Sequence, residues 1–236
     1  MRSTTDRSAF FSGLRACAPF ILVVVPFGML FGVLASEAGW DLVQILAMGF
    51  LVIAGASQFA ALQLIGEQAP FLIILATSLA VNLRMAMYSA SIAPHIGPAP
   101  LWQRALAAYM LTDQTYGVAI NHYTMHPNEP VTRKVAYFFG AITAICPAWY
   151  ASTLAGAVVG QAIPEEFALD FAIPITFIAL FAPALRSLPH LVAAVVSIVV
   201  ALNLAWMPYN LWMLVAAAVA MVAGALTEVW LERRAA

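Results

Sequence analysis

The chain has 236 residues, 64% hydrophobic and 9% charged, with a formal net charge of −1. A soluble domain carries about 25% charged residues, so a water-soluble fold of this length has no means of hiding so much apolar surface. Its polar stretches are too short for an extramembrane nucleotide-binding domain, and nothing in its charge suggests a nucleic-acid partner.

The apolar runs are long and continuous rather than the alternating segments of a transmembrane barrel of about ten residues each. The chain therefore reads as an all-α, polytopic helical membrane protein. Apolar segments are predicted at 16–36, 42–66, 69–92, 102–122, 135–161, 167–186, 188–206 and 209–230. They give eight spans, or seven if the fourth segment is re-entrant, within one integral membrane domain, 1–236.

The N-terminus is basic, with Arg2, Arg7 and Arg15, and the run after it is too long for a signal-peptide core. Segment one carries Pro26, Phe27 and Gly28 at its middle. Proline removes one helix hydrogen bond, and the freed carbonyl is expected to meet a substrate, water or a neighbouring helix. Gly55-Ala56-Ser57-Gln58 interrupts segment two. A glycine followed by two polar residues at membrane depth is how a broken helix presents polar groups to a ligand, and also how two helices hydrogen-bond.

Segment three holds Asn82-Leu83-Arg84. Arginine is always charged and its planar fork suits a carboxylate. Asn82 lies about 200° from Arg84 around a helix and is not expected to face the same ligand. A loop with Pro94, Pro98 and Pro100 leads to segment four, the most polar, with Arg104, Thr112, Asp113 and Gln114. Read as one helix, this segment lines up Tyr109, Asp113, Tyr116, Gly117 and Ile120 on one face. Asp113 is expected to hold a substrate ammonium or to take up a proton.

An ionisable side chain near the bilayer centre costs roughly 2.5–3.5 kcal/mol on insertion scales, and such residues usually pair and line a polar path. With segments three and four as antiparallel neighbours, Arg84 and Asp113 are expected about 12 and 17 Å from the outer surface. Their pairing serves either transport or helix register.

Eight spans with a cytoplasmic N-terminus place Arg133, Lys134, Arg186, Arg233 and Arg234 inside with the N-terminal arginines. Glu37, Asp41, Glu165, Glu166 and Asp170 fall outside. Only Arg104 breaks the positive-inside rule. Pro19, Gly28 and Gly32 are spaced like Pro147, Gly156 and Gly160, so halves of about 10–123 and 135–231 are expected to be internally similar.

Cys17 and Cys146 lie in apolar segments and read as small core residues. His122 and His126 lack a third ligand, so no metal site is assigned, and no cofactor. No serine–histidine pair, phosphate loop or catalytic carboxylate pair is seen, so the chain is not read as an enzyme.

Pro19 with Pro26-Phe27-Gly28, then Ala54-Gly55-Ala56-Ser57-Gln58-Phe59, Asn82-Leu83-Arg84 and Leu111-Thr112-Asp113-Gln114, taken together, resemble the AzlC family. These are the large subunits of branched-chain amino acid exporters. The resemblance runs from about residue 11 to 120. Members often have His after the arginine and Glu after the aspartate, where this chain has Met85 and Gln114, so neither residue takes over a protonation role. The resemblance implies export of branched-chain amino acids by an ion-gradient-coupled carrier in the bacterial cytoplasmic membrane. It also implies a small membrane partner of the AzlD type. A branched-chain amino acid is a zwitterion with an apolar tail. Arg84, Asp113 and opened backbone near Gly28 and Gly55 would meet its charges; Phe27, Phe59 and the tyrosines would meet its tail. The alternatives are a passive channel or carrier for another small polar solute, a lipid-modifying enzyme, and a structural subunit.

Overall fold

A computed structural model describes residues 2–160, 185, 187–208 and 211–235. The sixth predicted segment, 167–186, and the acidic residues Glu165, Glu166 and Asp170 lie outside these, apart from Leu185. Among the described residues every regular element is helical, and the helices Asp6–Glu37, Phe71–Ile96, Val131–Gly160 and Leu211–Arg234 are long and apolar enough to cross a membrane. The chain divides into two units, one of 1–62 with 81–167, the other of 63–80 with 168–236.

The first unit is built on two long parallel helical rods. One comprises α1 (Arg2–Cys17), a 3-10 turn (Ala18–Phe20) and α2 (Ile21–Glu37); the other is α8 (Val131–Gly160). Their glycines set the direction and the spacing. A Cβ on Gly13 would strike the Tyr137 carbonyl, one on Gly32 the Thr153 carbonyl, and one on Gly156 the Met29 carbonyl. Residue numbers rise together along both rods, so they run the same way. Small residues let membrane helices approach backbone to backbone, and here they do so on both partners. We call the end where α1 and α8 begin proximal, and the opposite end distal.

Pro26 does not open α2, which is helical through it. Gly28 is buried against Ser152 and the Trp149 carbonyl. Of the partners left open for this motif, Gly28 meets a neighbouring helix.

Segment two is broken, as its glycine and polar residues suggested. It forms α3 (Leu42–Leu51) and α4 (Gly55–Gly66). α3 starts at the distal end with a capping box, in which Asp41 accepts from the Gln44 N–H at 2.7 Å and Gln44 accepts from the Asp41 N–H at 2.9 Å. Gln58 donates from Nε2 to the Met48 carbonyl at 3.2 Å and also to the Val52 carbonyl. In a straight helix Gln58 would lie about 15 Å beyond Met48, so the chain has doubled back. The expectation that segment two crosses as one of eight spans is corrected, and α5 starts from the distal side.

α5 (Phe71–Ile96) ends proximally, where His95 lies 5.2 Å from the Tyr123 ring and the Tyr123 hydroxyl donates to the Lys134 carbonyl at 2.8 Å. α6 (Leu101–Tyr109) then runs back beside α5, and α7 (Asp113–Met125) returns parallel to α5. Contacts of Arg84 and Tyr88 with Asp113, of Ser91 with Tyr116 and of His95 with Tyr123 fix that direction.

The expectation that segment four is one crossing helix antiparallel to segment three is thus corrected. It is a hairpin whose two ends share the proximal face. The capping box of Thr112 and Thr115 explains the break: Thr112 leaves the helix in an extended conformation, and its hydroxyl accepts from the Thr115 N–H at 3.3 Å. Arg104 lies on the proximal side because segment two doubles back, so that α5 ends there. Every Lys and Arg of the first unit except Arg84 lies in the proximal half, while Glu37 and Asp41 lie at the distal end, so within this unit Arg104 no longer stands against the positive-inside pattern.

The two hairpin tips meet. Tyr109, at the end of α6, donates to the Phe50 carbonyl of α3, and the Phe50 ring stacks on Tyr150 of α8 at 4.2 Å. At the proximal end Glu129 ties the α7–α8 loop, with His122 at 2.8 Å and Arg133 at 3.0 Å, and the buried Lys134 donates to the Pro127 carbonyl at 2.9 Å. In the second unit α9 (Leu188–Leu204) packs on α10 (Leu211–Ala235), with the Ala193 Cβ 3.3 Å from where a Gly224 Cβ would stand. These match the seventh and eighth predicted segments.

Two outcomes check this architecture. Single cysteines at Pro98 and at Asn128, in chains with Cys17 and Cys146 replaced by alanine, should react with an impermeant maleimide from the same face of the membrane; a crossing segment four would put them on opposite faces. Gly156→Leu should lower the melting temperature in detergent, because overpacking typically costs about 1–3 kcal/mol. Gly117→Ala, where a Cβ meets nothing within 4 Å, should not lower it, since alanine is the better helix former.

Candidate functional site

Arg84 sits thirteen residues after Phe71 and twelve before Ile96, at the centre of α5. Asp113 is the first residue of α7, delivered to the same level by the hairpin. Arg84 Nη1 lies 3.0 Å from Asp113 Oδ2, and the Tyr88 hydroxyl donates to Asp113 Oδ1 at 3.0 Å. The carboxylate also occupies a helix N-terminus, where backbone N–H groups carry partial positive charge and favour an anion.

The depths expected for the pair change with the topology. Arg84 is about 18 Å from the proximal end of its helix, with Asp113 at its side. The two side chains remain 28% and 39% exposed within the chain. A charge pair at this depth must face water, a solute or another protein surface, since acyl chains solvate neither partner.

Tyr116, one turn along α7, stacks on Tyr88 with ring centroids 4.1 Å apart and donates to Ser91 Oγ at 3.0 Å. It therefore belongs with Asp113. Tyr109 does not, because the break at 110–112 puts it on another helix, where its hydroxyl is used on Phe50. Thr112 is a cap, buried with Thr115. Asn82 Oδ1 and Arg84 Nε are buried without a hydrogen-bond partner in the chain.

The α3–α4 turn makes a second cluster. Gly55 leaves room for the Phe27 ring, 2.7 Å from where its Cβ would stand, and for Trp149 at 3.0 Å. Phe27 and Phe59 have ring centroids 4.8 Å apart, and Phe31 and Trp149 complete the group. Ser57 and Gln58 are fully buried beside it; Gln58 spends its amide N–H groups on the turn, while its Oε1 has no hydrogen-bond partner. Phe27, Phe59, Gly55, Ser57 and Gln58 are thus brought together, and Pro26 lies exposed outside the group.

Tyr88, Ser91 and Trp149 were missed from sequence. The first two carried a usable signal: they follow Arg84 by four and seven residues, on the same helical face. Trp149 carried none. Among the described residues no group of three or more His, Cys, Asp or Glu could hold a metal ion.

Removing one partner of a buried ion pair costs about 3–5 kcal/mol because the other charge is stranded; this pair, open on one side, should lose less. Arg84→Leu and Asp113→Leu should each lower the melting temperature in detergent more than the double variant does. Equal or greater loss in the double variant would mean the two charges do not depend on each other.

Comparison with known proteins agrees on the kind of molecule. The family model described as AzlC protein matches residues 19–163. An uncharacterized membrane protein of Archaeoglobus fulgidus is 28% identical over 199 residues, 83% of this chain and 84% of the relative. One from Helicobacter pylori is 31% identical over 155 residues, 65% of this chain and 66% of its own length. Inner membrane protein YgaZ of Escherichia coli is 24% identical over 188 residues, covering 75% and 76%. No solved structure matches the chain.

Proposed function

The chain belongs to the AzlC family of membrane proteins, and we propose that it is a secondary carrier exporting branched-chain amino acids across the bacterial inner membrane. In this reading its N-terminus is cytoplasmic, it is driven by an ion gradient, and it works with a small AzlD-type membrane subunit. The observation that carries the reading is the Arg84–Asp113 pair at mid-helix, half open and seated on a helix N-terminus.

A zwitterion presents to such a pair the two charges it already holds. The substrate carboxylate takes the guanidinium fork and its ammonium takes Asp113, so the ionic contact of the empty carrier is exchanged for two contacts to solute. Little Coulomb energy is lost, which keeps binding weak enough for release. Tyr88 and Tyr116 offer a flat apolar wall next to the pair, suited to a branched aliphatic side chain. The aromatic group around Gly55 supplies a rigid support for the opposing hairpin tip. The Escherichia coli relative is an inner membrane protein, which supports an inner-membrane location.

In inverted vesicles carrying this chain and its small partner, labelled leucine should accumulate and the accumulation should collapse with an uncoupler. Arg84→Ala and Asp113→Asn should lower the rate by about a hundredfold, the loss expected when a positioned charged contact worth roughly 3 kcal/mol disappears. Wild-type rates in both variants would remove the pair from the site, and uncoupler-insensitive equilibration would mark a channel.

A further inference from the structure

Arg84 is the first of four polar residues on one face of α5, continuing with Tyr88, Ser91 and His95 at helical spacing. α7 runs parallel to this stripe and sets Asp113, Tyr116 and Tyr123 against it. The contacts form a series from mid-helix to the proximal end. Tyr88 donates to Asp113 at 3.0 Å, Tyr88 stacks on Tyr116, Tyr116 donates to Ser91 at 3.0 Å, and His95 lies against Tyr123. The seam is about 16 Å long from Arg84 to His95. The other ionisable groups near its proximal end are Tyr123 on α7 and Lys134 on α8, the latter close enough to act electrostatically on His95, with His122 of α7, Glu129 of the α7–α8 loop and Tyr137 of α8 around Tyr123.

We infer that this seam is a proton path between Asp113 and the proximal face, and so the route that couples the carrier to a proton gradient. The inference rests on the carrier reading and adds the ion, its binding group and its way in and out. Protons exchange between the proximal medium and His95. Each hydroxyl along the seam, Ser91, Tyr116 and Tyr88, gives up one proton and receives one, with water bridging Ser91 to His95 and the two stacked phenols to each other. No hydroxyl changes its net protonation. The only lasting change is that Asp113 passes between carboxylate and carboxylic acid.

That change acts directly on transport. A protonated Asp113 no longer holds Arg84 by charge, so the guanidinium is released to a carboxylate or to water. A deprotonated Asp113 is ready for an ammonium. Proton and amino acid therefore compete for one carboxylate, the simplest arrangement for exchange of one against the other.

Ser91 and His95 lie outside the proposed binding pair, which allows a test that separates path from site. In vesicles with the full chain and its small partner, two rates are compared: leucine exchange with no gradient, and leucine accumulation with proton movement under an imposed pH gradient. Ser91→Ala and His95→Gln should keep exchange at the wild-type rate. Gradient-driven accumulation should fall about a hundredfold, the low end of what losing a positioned proton-transfer group costs. Ser91→Thr, which restores the hydroxyl, should recover it. Full coupling in both first variants, equal loss of exchange and coupling, or no recovery with threonine would each overturn the path. Absence of uncoupler-sensitive transport in the wild type would instead bring down the carrier reading beneath it.

Discussion

A guanidinium held in the middle of a long apolar helix is tolerated only when something of opposite charge or high polarity stands beside it. Arg84 imposes that condition, and much of the first unit can be read as a way of meeting it. Its counter-charge arrives on the tip of a hairpin, which delivers a carboxylate together with the N-terminal end of a helix. Had segment four crossed as one continuous helix, Asp113 would be a mid-helix residue with its backbone fully bonded. As the first residue of a half-length helix it stands beside free N–H groups. The break therefore adds a second source of favourable electrostatics at the same spot.

Half-length helices leave unsatisfied backbone groups at membrane depth, which lipid cannot satisfy. The chain deals with this locally at both breaks. Thr112 and Thr115 exchange side-chain and backbone bonds around the start of α7. Gln58 closes the α3–α4 turn with its amide, and Tyr109 reaches from one tip to a free carbonyl on the other. The parallel rods of α1–α2 and α8 provide the surface on which these tips rest. Their glycine contacts bring the backbones close enough to make that surface continuous. Packing, capping and charge are thus mutually dependent: loosening the rods would move the support of the hairpin tips, and with it the geometry of the pair.

The motifs that stood out in the sequence divide by chemistry. Arg84 and Asp113 could be singled out because charge in an apolar run has few explanations, and their contact is present in the fold. Gly55 with Ser57 and Gln58 gave a correct reading of a break, since a glycine beside two polar groups is poor material for an uninterrupted span. Pro26-Phe27-Gly28 left a ligand and a neighbouring helix open, and Gly28 meets the helix. Proline in a membrane helix costs one hydrogen bond but not the helix, and Gly28 is there for close packing against Ser152. Tyr88 and Ser91 went unnoticed because tyrosine and serine are ordinary residues until Arg84 is taken as the start of a face.

The apolar content, the helical class, the basic N-terminus and the presence of an intramembrane charge couple were all determined by the amino-acid sequence alone. These follow from transfer free energies that depend on residue type. Direction was decided only by the tertiary structure. Hydropathy is blind to whether a segment of some twenty residues crosses or doubles back, because both bury the same side chains. The capping threonines at the tip, the contacts of α5 with α7 and the support of α8 together turn segment four around. That reversal aligns two polar stripes which a straight helix would have carried apart, while the earlier reversal of segment two brings α5, and Arg104 after it, to the proximal side.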